Sequence, residues 1–140
     1  MRFMIIVKAT RDSEAGDMPG EKLLAAMATY HEALTKAGVL LDANGLQASA
    51  KGWRVAYSGD KRAVIDGPFN EAKELIAGYT IIQVKSRDEA MEWTRRFPNP
   101  AIDGGVAEIE VRQIFELEDF GPGKAVERFR ALGVGAQETS

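Results

Sequence analysis

Val64-Ile65-Asp66-Gly67-Pro68-Phe69-Asn70-Glu71-Ala72-Lys73-Glu74 packs a strand end, a break and a charged turn into eleven consecutive residues. The apolar run Ala63-Val64-Ile65 ends at a carboxylate, Gly67-Pro68 stops the strand, and charged or amide side chains follow at helical spacing. Upstream, Trp53–Tyr57 and Arg62–Asp66 alternate on either side of Ser58-Gly59-Asp60-Lys61. A Gly-Asp pair between two such runs predicts a β-hairpin. Downstream, Gly78 to Lys85 alternates as a strand. Ser86-Arg87-Asp88-Glu89 then reads as a capping box, opening a helix that carries Ala90, Trp93, Thr94 and Phe97 and stops before Pro98. Ala107, Ile109, Val111 and Phe115, alternating with charged residues, predict the last strand.

Toward the N-terminus, Phe3 to Ala9 is apolar on both faces of an alternating run, which predicts a central strand. Thr10 to Pro19 reads as loop. From Pro19 to Ala37 the stripe Leu23, Met27, Tyr30, Leu34 has helical period, with His31 and Leu24 flanking it. Gly38 ends that helix. Val39 to Asp42 is a short strand, Ala43-Asn44-Gly45 a turn. After Glu118 the pattern thins: Phe120 to Lys124 breaks the chain, Val126 to Leu132 predicts two helical turns, and Gly133 to Ser140 reads as a frayed end. The expected division is a domain over 1–120 and a C-terminal extension over 121–140.

Set aside the hairpin, and the order is strand, helix, strand, strand, helix, strand. That is an α+β arrangement of the ferredoxin-like class, a split βαβ (βαββαβ) with an inserted hairpin. Two helices cover one face of such a sheet. Met4, Ile6, Ile82 and Ile114 are expected on the other, more apolar surface than a solvated face carries, so a homodimer is expected.

With 140 residues the chain is of single-domain size and can bury a core unaided. It has no cysteine, which excludes disulfides and thiolate chemistry. A net charge of -3 opposes direct nucleic-acid binding. The apolar start is too short for a signal segment, and no run suits a membrane span. The expectation is a soluble, cytoplasmic protein with no membrane partner.

The chemistry-bearing candidates centre on the opening stretch. Asp66 either shapes its turn by accepting backbone N–H bonds or acts as a general acid/base. Phe69 reads as a core anchor. Glu71 and Glu74, three residues apart with Lys73 between them, form either a solvated charged turn or an anchor for a cationic or hydroxylated ligand. His31, the one histidine, is either packed at the margin of its helix or, facing Asp66, half of a proton-transferring dyad. Tyr30 and Tyr79 can add hydroxyls, though core packing also explains them. One histidine among scattered carboxylates does not suggest a metal, and no cofactor is expected.

The run Asp66-Gly67-Pro68-Phe69-x-Glu71-x-Lys73-Glu74, with Ala77-Gly78-Tyr79 and Ser86-Arg87-Asp88-Glu89-Ala90-x-x-Trp93, resembles the YCII-related family, and within it the DGPF-domain branch. Met1-Arg2-Phe3-Met4, Ala37-Gly38-Val39-Leu40, Gly45-Leu46 and Ile109-Glu110-Val111-Arg112 extend the resemblance to about Gly121. It implies a dimeric α/β-barrel of ferredoxin-like subunits and, for some relatives, a link to regulation by extracytoplasmic-function sigma factors. It also implies a helix histidine paired with an aspartate in the wider group. That histidine position falls near Met27, one turn before His31. The functional expectation is a small-ligand-binding or regulatory module with a cleft beside the DGPF turn and an unknown small molecule as ligand. The alternative is a cofactor-independent enzyme of lyase, isomerase or oxygenase type with Asp66 as general base.

Overall fold

The computed structural model describes residues 1–135. Four strands form an antiparallel sheet: β1 (Arg2–Lys8), β2 (Leu40–Gly45), β5 (Ile76–Gln83) and β6 (Ile109–Gln113), in the spatial order β2-β5-β1-β6. With helices α2 (Glu21–Lys36) and α3 (Arg87–Arg95) connecting the two halves, this is the ferredoxin-like fold. β3 (Trp53–Ser58) and β4 (Lys61–Asp66) pair only with each other as a separate ribbon. Gly59 takes a positive φ of 60° at the tip of that ribbon, as the tight turn requires.

The sequence pattern explains the core. Alternation on β1 and β5 sends Phe3, Ile5, Thr80, Ile82 and Val84 to one face, where Tyr30 and Leu34 of α2 and Ala90 of α3 meet them. Ile5, Leu34 and Ile82 are fully buried. Ile82 therefore faces the helices, not outward as expected. Its neighbour Ile81 takes the open face with Met4, against which it is registered, because Ile82 is registered with core residue Phe3 and side chains alternate at every step.

Three local readings are corrected. Ala43 to Gly45 is not a turn but the end of β2, held by pairing with Thr80, Tyr79 and Gly78. The segment Thr10 to Pro19 contains a helical turn, α1 (Arg11–Glu14), which Thr10 and Ser13 cap reciprocally. The last strand is shorter than expected, and Ala107 and Phe115 lie outside it. At α3, Ser86 Oγ accepts from the Glu89 amide while Glu89 reaches back to the Lys85 amide, one residue before the cap itself. The predicted C-terminal turns are α4 (Lys124–Leu132), which ends at Gly133 in a left-handed cap. Of the expected frayed end, residues 136–140 lie outside the described residues. No helix among the described residues is long and apolar enough to cross a membrane.

Candidate functional site

A cavity of about 860 Å³ opens between α2 and one end of the sheet. Cross-strand register creates it. Where β1, β5 and β2 run together, Val7 pairs with Gly78, Gly78 with Gly45, and Thr80 with Ala43. The helix-facing side of the sheet there carries two glycines and an alanine in place of the large side chains of the core. A side chain at Gly78 would also meet the backbone: its Cβ would lie 2.9 Å from the Asn44 carbonyl oxygen. Leu23, Leu24, Met27, Ala28 and His31 of α2 roof the space. Gln47, Ala48 and Lys51 contribute one wall, and Phe97 and Ile102 another.

His31 is the polar centre of this cavity. Its Nδ1 lies 2.7 Å from the Met27 carbonyl oxygen and its Nε2 2.9 Å from Thr80 Oγ1. Tyr30 and Phe97 pack edge-on to its ring. Thr80, only 2% exposed, is a buried polar residue on the core face of β5. The sequence reading did not single it out. The available signal was a lone hydroxyl on the buried face of an alternating strand, a position that is usually apolar.

The other sequence candidates divide by location. Tyr79 borders the cavity, but alternation with Thr80 turns its ring to the open face of the sheet. There its hydroxyl donates to Asp42 Oδ2 at 3.0 Å and accepts from Asn44 Nδ2 at 3.0 Å. Tyr30 is buried and its hydroxyl donates to the Trp93 carbonyl at 2.7 Å, joining α2 to α3. Asp66, Glu71, Lys73 and Glu74 are all exposed and none lines the cavity. Glu71 lies 4.0 Å from Arg54. The backbone of Asp66 pairs with Trp53 in the ribbon, but its carboxylate has neither a hydrogen bond nor an ion pair among the described residues. Both ring nitrogens of His31 are engaged elsewhere, so His31 and Asp66 do not form a pair within one chain.

What the DGPF turn does is brace the cavity wall. The Gly67 amide donates to the Gly52 carbonyl at 3.0 Å. The Phe69 amide donates to Ser49 Oγ at 3.0 Å, and Ser49 Oγ donates to Glu14 Oε2 at 2.5 Å. Glu14 Oε1 accepts the Ser49 amide at 3.0 Å. One hydroxyl thus ties α1, the 3₁₀ turn Ser49–Lys51 and the DGPF turn together. Phe69, expected in the core, is half-buried beneath the Arg54 guanidinium, 3.8 Å from its ring centre. The cavity lies on the far side of this brace, one loop away from the expected cleft beside the turn.

Burial pushes the Tyr30 hydroxyl up to about 12, against a smaller opposing effect of Arg96. The folded state therefore holds this proton more tightly than the unfolded chain, whose tyrosine titrates near 10. Stability from the neutral buried phenol is complete below pH 10 and falls as pH rises toward 12. Tyr30→Phe should flatten that part of the stability–pH curve, measured by urea unfolding between pH 9 and 11.5. An unchanged slope in the variant would place the titration elsewhere.

Among the described residues no group of His, Cys, Asp or Glu is arranged to hold a metal ion. Fold and cavity together describe a ferredoxin-like α+β domain with a pocket between its first long helix and its sheet. The model of the YCII-related domain matches residues 1–116, and the chain belongs to the YCII-related family. No curated protein is significantly similar to it. Among solved structures it is similar to 5-chloro-2-hydroxyhydroquinone dehydrochlorinase (TftG) from Burkholderia phenoliruptrix AC1100, in complex with 2,5-dihydroxybenzoquinone. That likeness has a TM-score of 0.46 at 16% identity and covers 83% of this chain and 95% of the other.

Proposed function

We propose that this chain is a small-molecule-binding domain of the DGPF branch that works as a homodimer, with its ligand in the cavity beneath α2. The observation that carries the reading is the cavity itself. It is a largely apolar space of about 860 Å³ with polar side chains such as Asn44, Gln47 and Lys51 on its walls, within the usual size for small-molecule sites, and it holds a buried hydroxyl bonded to the one histidine. The tetrapeptide Asp66-Gly67-Pro68-Phe69 supports the branch.

Exposed area supports the dimer. The chain presents 10105 Å², whereas a compact monomer of 15.3 kDa presents roughly 7,100 Å². The excess is on the scale of what extensive dimer interfaces cover. On the β3–β4 ribbon Trp53, Tyr57, Val64 and Ile65 are exposed, and on the open face of the sheet Met4, Ile6 and Ile81 are half-exposed.

The expected result of a thermal-shift screen of small organic molecules is stabilisation by those that enter the cavity. A ligand at a hundredfold its Kd adds about 2.7 kcal/mol. Ala28→Phe, which fills the cavity from α2, should fold and dimerise normally yet lose the response. A hit that stabilises Ala28→Phe equally well binds elsewhere, and would refute the cavity reading if all hits behave so.

A second reading, cofactor-independent catalysis on the bound molecule, is favoured by one observation: His31 Nε2 is available as a base through Thr80. Turnover of a hit that His31→Gln abolishes while binding persists would establish it. The same assay on Asp66→Asn decides whether that carboxylate serves as the base. In an isolated chain it lies outside the cavity, so an effect there requires Asp66 to reach the site of the second copy.

A further inference from the structure

We infer that the cavity selects molecules carrying a neutral hydrogen-bond donor, a hydroxyl of the phenol, enol or alcohol kind, over carboxylates, and that Thr80 and His31 form the acceptor that draws the donor's proton. This rests on the cavity being the ligand site. The argument follows from which atoms can hold hydrogens. A backbone carbonyl only accepts, so the Met27 oxygen at 2.7 Å places the proton of a neutral His31 ring on Nδ1. Nε2 then carries a lone pair, and the Thr80 hydroxyl at 2.9 Å must donate to it.

The single hydrogen of that hydroxyl is therefore in use, and Thr80 Oγ1 can offer the cavity only lone pairs. Among the described residues it makes no other hydrogen bond. Its neighbours on that face of the sheet, Ile5, Ala43 and Gly78, present no polar side chain, and Phe97 packs against the His31 ring; the cavity's polar side chains Asn44, Gln47 and Lys51 belong to its other walls. The end of the cavity is thus acceptor-only and walled by apolar groups. A carboxylate there would set lone pairs against lone pairs after losing its water, a costly exchange. An O–H group satisfies the oxygen and is itself satisfied.

The same chain of bonds moves a proton. As the ligand O–H gives its proton to Thr80 Oγ1, Thr80 gives its own to His31 Nε2. The products are a ligand oxyanion and an imidazolium whose two N–H groups point at Met27 and Thr80. No bond to carbon forms or breaks, and no other reactant is needed. Thr80 touches the ligand, and His31 acts through it.

The test has two arms on the untagged, full-length chain. His31 supplies the only imidazole, so ¹⁵N NMR of the ring reads its tautomer directly. The expected spectrum of the neutral ring shows Nδ1 protonated and Nε2 bare, and the Nε2–H tautomer would overturn the inference. Calorimetry then compares 2-naphthol, 2-methoxynaphthalene and 2-naphthoate. The naphthol should bind about tenfold more tightly than either, as one extra hydrogen bond provides. Thr80→Val should erase that preference, and Thr80→Ser, which keeps the hydroxyl, should retain it. Equal binding of all three, or tighter binding of the naphthoate, overturns the selectivity while leaving the cavity as a binding site. Failure of all three to bind, with the tautomer as expected, removes the cavity reading and this inference with it.

Discussion

Gly67→Ala should lower the melting temperature by on the order of 10 °C, the loss expected when about 3 kcal/mol is removed from a domain of this size. A Cβ at that position would lie 1.8 Å from the Ser49 carbonyl oxygen and 2.7 Å from its carbon. Both are backbone atoms, so no side-chain rotation relieves the overlap. The turn must lift off its seat, and the Gly67–Gly52 and Phe69–Ser49 hydrogen bonds go with it. Calorimetric unfolding of the variant measures the loss. Ser49→Ala is the milder companion. It removes the shared hydroxyl without a clash and should cost about 1–2 kcal/mol through the Glu14 and Phe69 bonds it breaks. If Gly67→Ala melts within 2 °C of the parent chain, the turn is not seated as described.

Ile81→Glu should convert the proposed dimer to monomer at micromolar concentration, weakening association by roughly a hundredfold or more. Ile81 sits on β5, second in the sheet, registered between Met4 and Asp42. A glutamate there is placed across from an aspartate, and like charges directly opposite repel. Docking a second copy would also strip its water with no cation supplied. The basic groups of β1 and β6 on that face are already used, Arg2 by Glu116. Lys8 and Arg112 both pair with Glu110, holding its carboxyl below the usual range, with the Arg112 hydrogen bond the larger cause. Sedimentation velocity of parent and variant decides the matter, with circular dichroism to verify that the variant folds. A parent chain that sediments as a monomer, or a variant that still dimerises, defeats the assignment of this face.

The fold was readable because its signals are local. Alternation in Phe3–Ala9, the four-and-three spacing from Leu23 to Leu34, and the Ser86 cap each need only a few neighbouring residues, and their order specifies the ferredoxin-like class. The pocket was not readable, because it arises from register. Gly78 is an ordinary strand glycine until β2 brings Gly45 beside it and β1 brings Val7. Ile82 was assigned outward for a related reason. With apolar residues on both sides of β5, only pairing with Phe3 reveals which side meets the helices. His31 was visible as a residue at the margin of its helix, but its partner Thr80 lies on a different element, 49 positions along the chain. Asp66 stood out as an acid at a strand end. What faces it depends on Gly67 docking against Ser49, a contact that no local pattern encodes.

The ribbon of β3 and β4 leaves the body at Gly52 and returns at Gly67, and those two residues are hydrogen-bonded to each other. Both ends of the arm are therefore fastened at a single pivot, and the turn that holds Lys51 and Ala48 against the cavity adjoins it. In the proposed dimer, the grip of a second subunit on the tip would act through that pivot on the wall of the cavity. In that proposed dimer, a molecule that tightened this joint from inside would, by thermodynamic reciprocity, also tighten the grip of the arm outside.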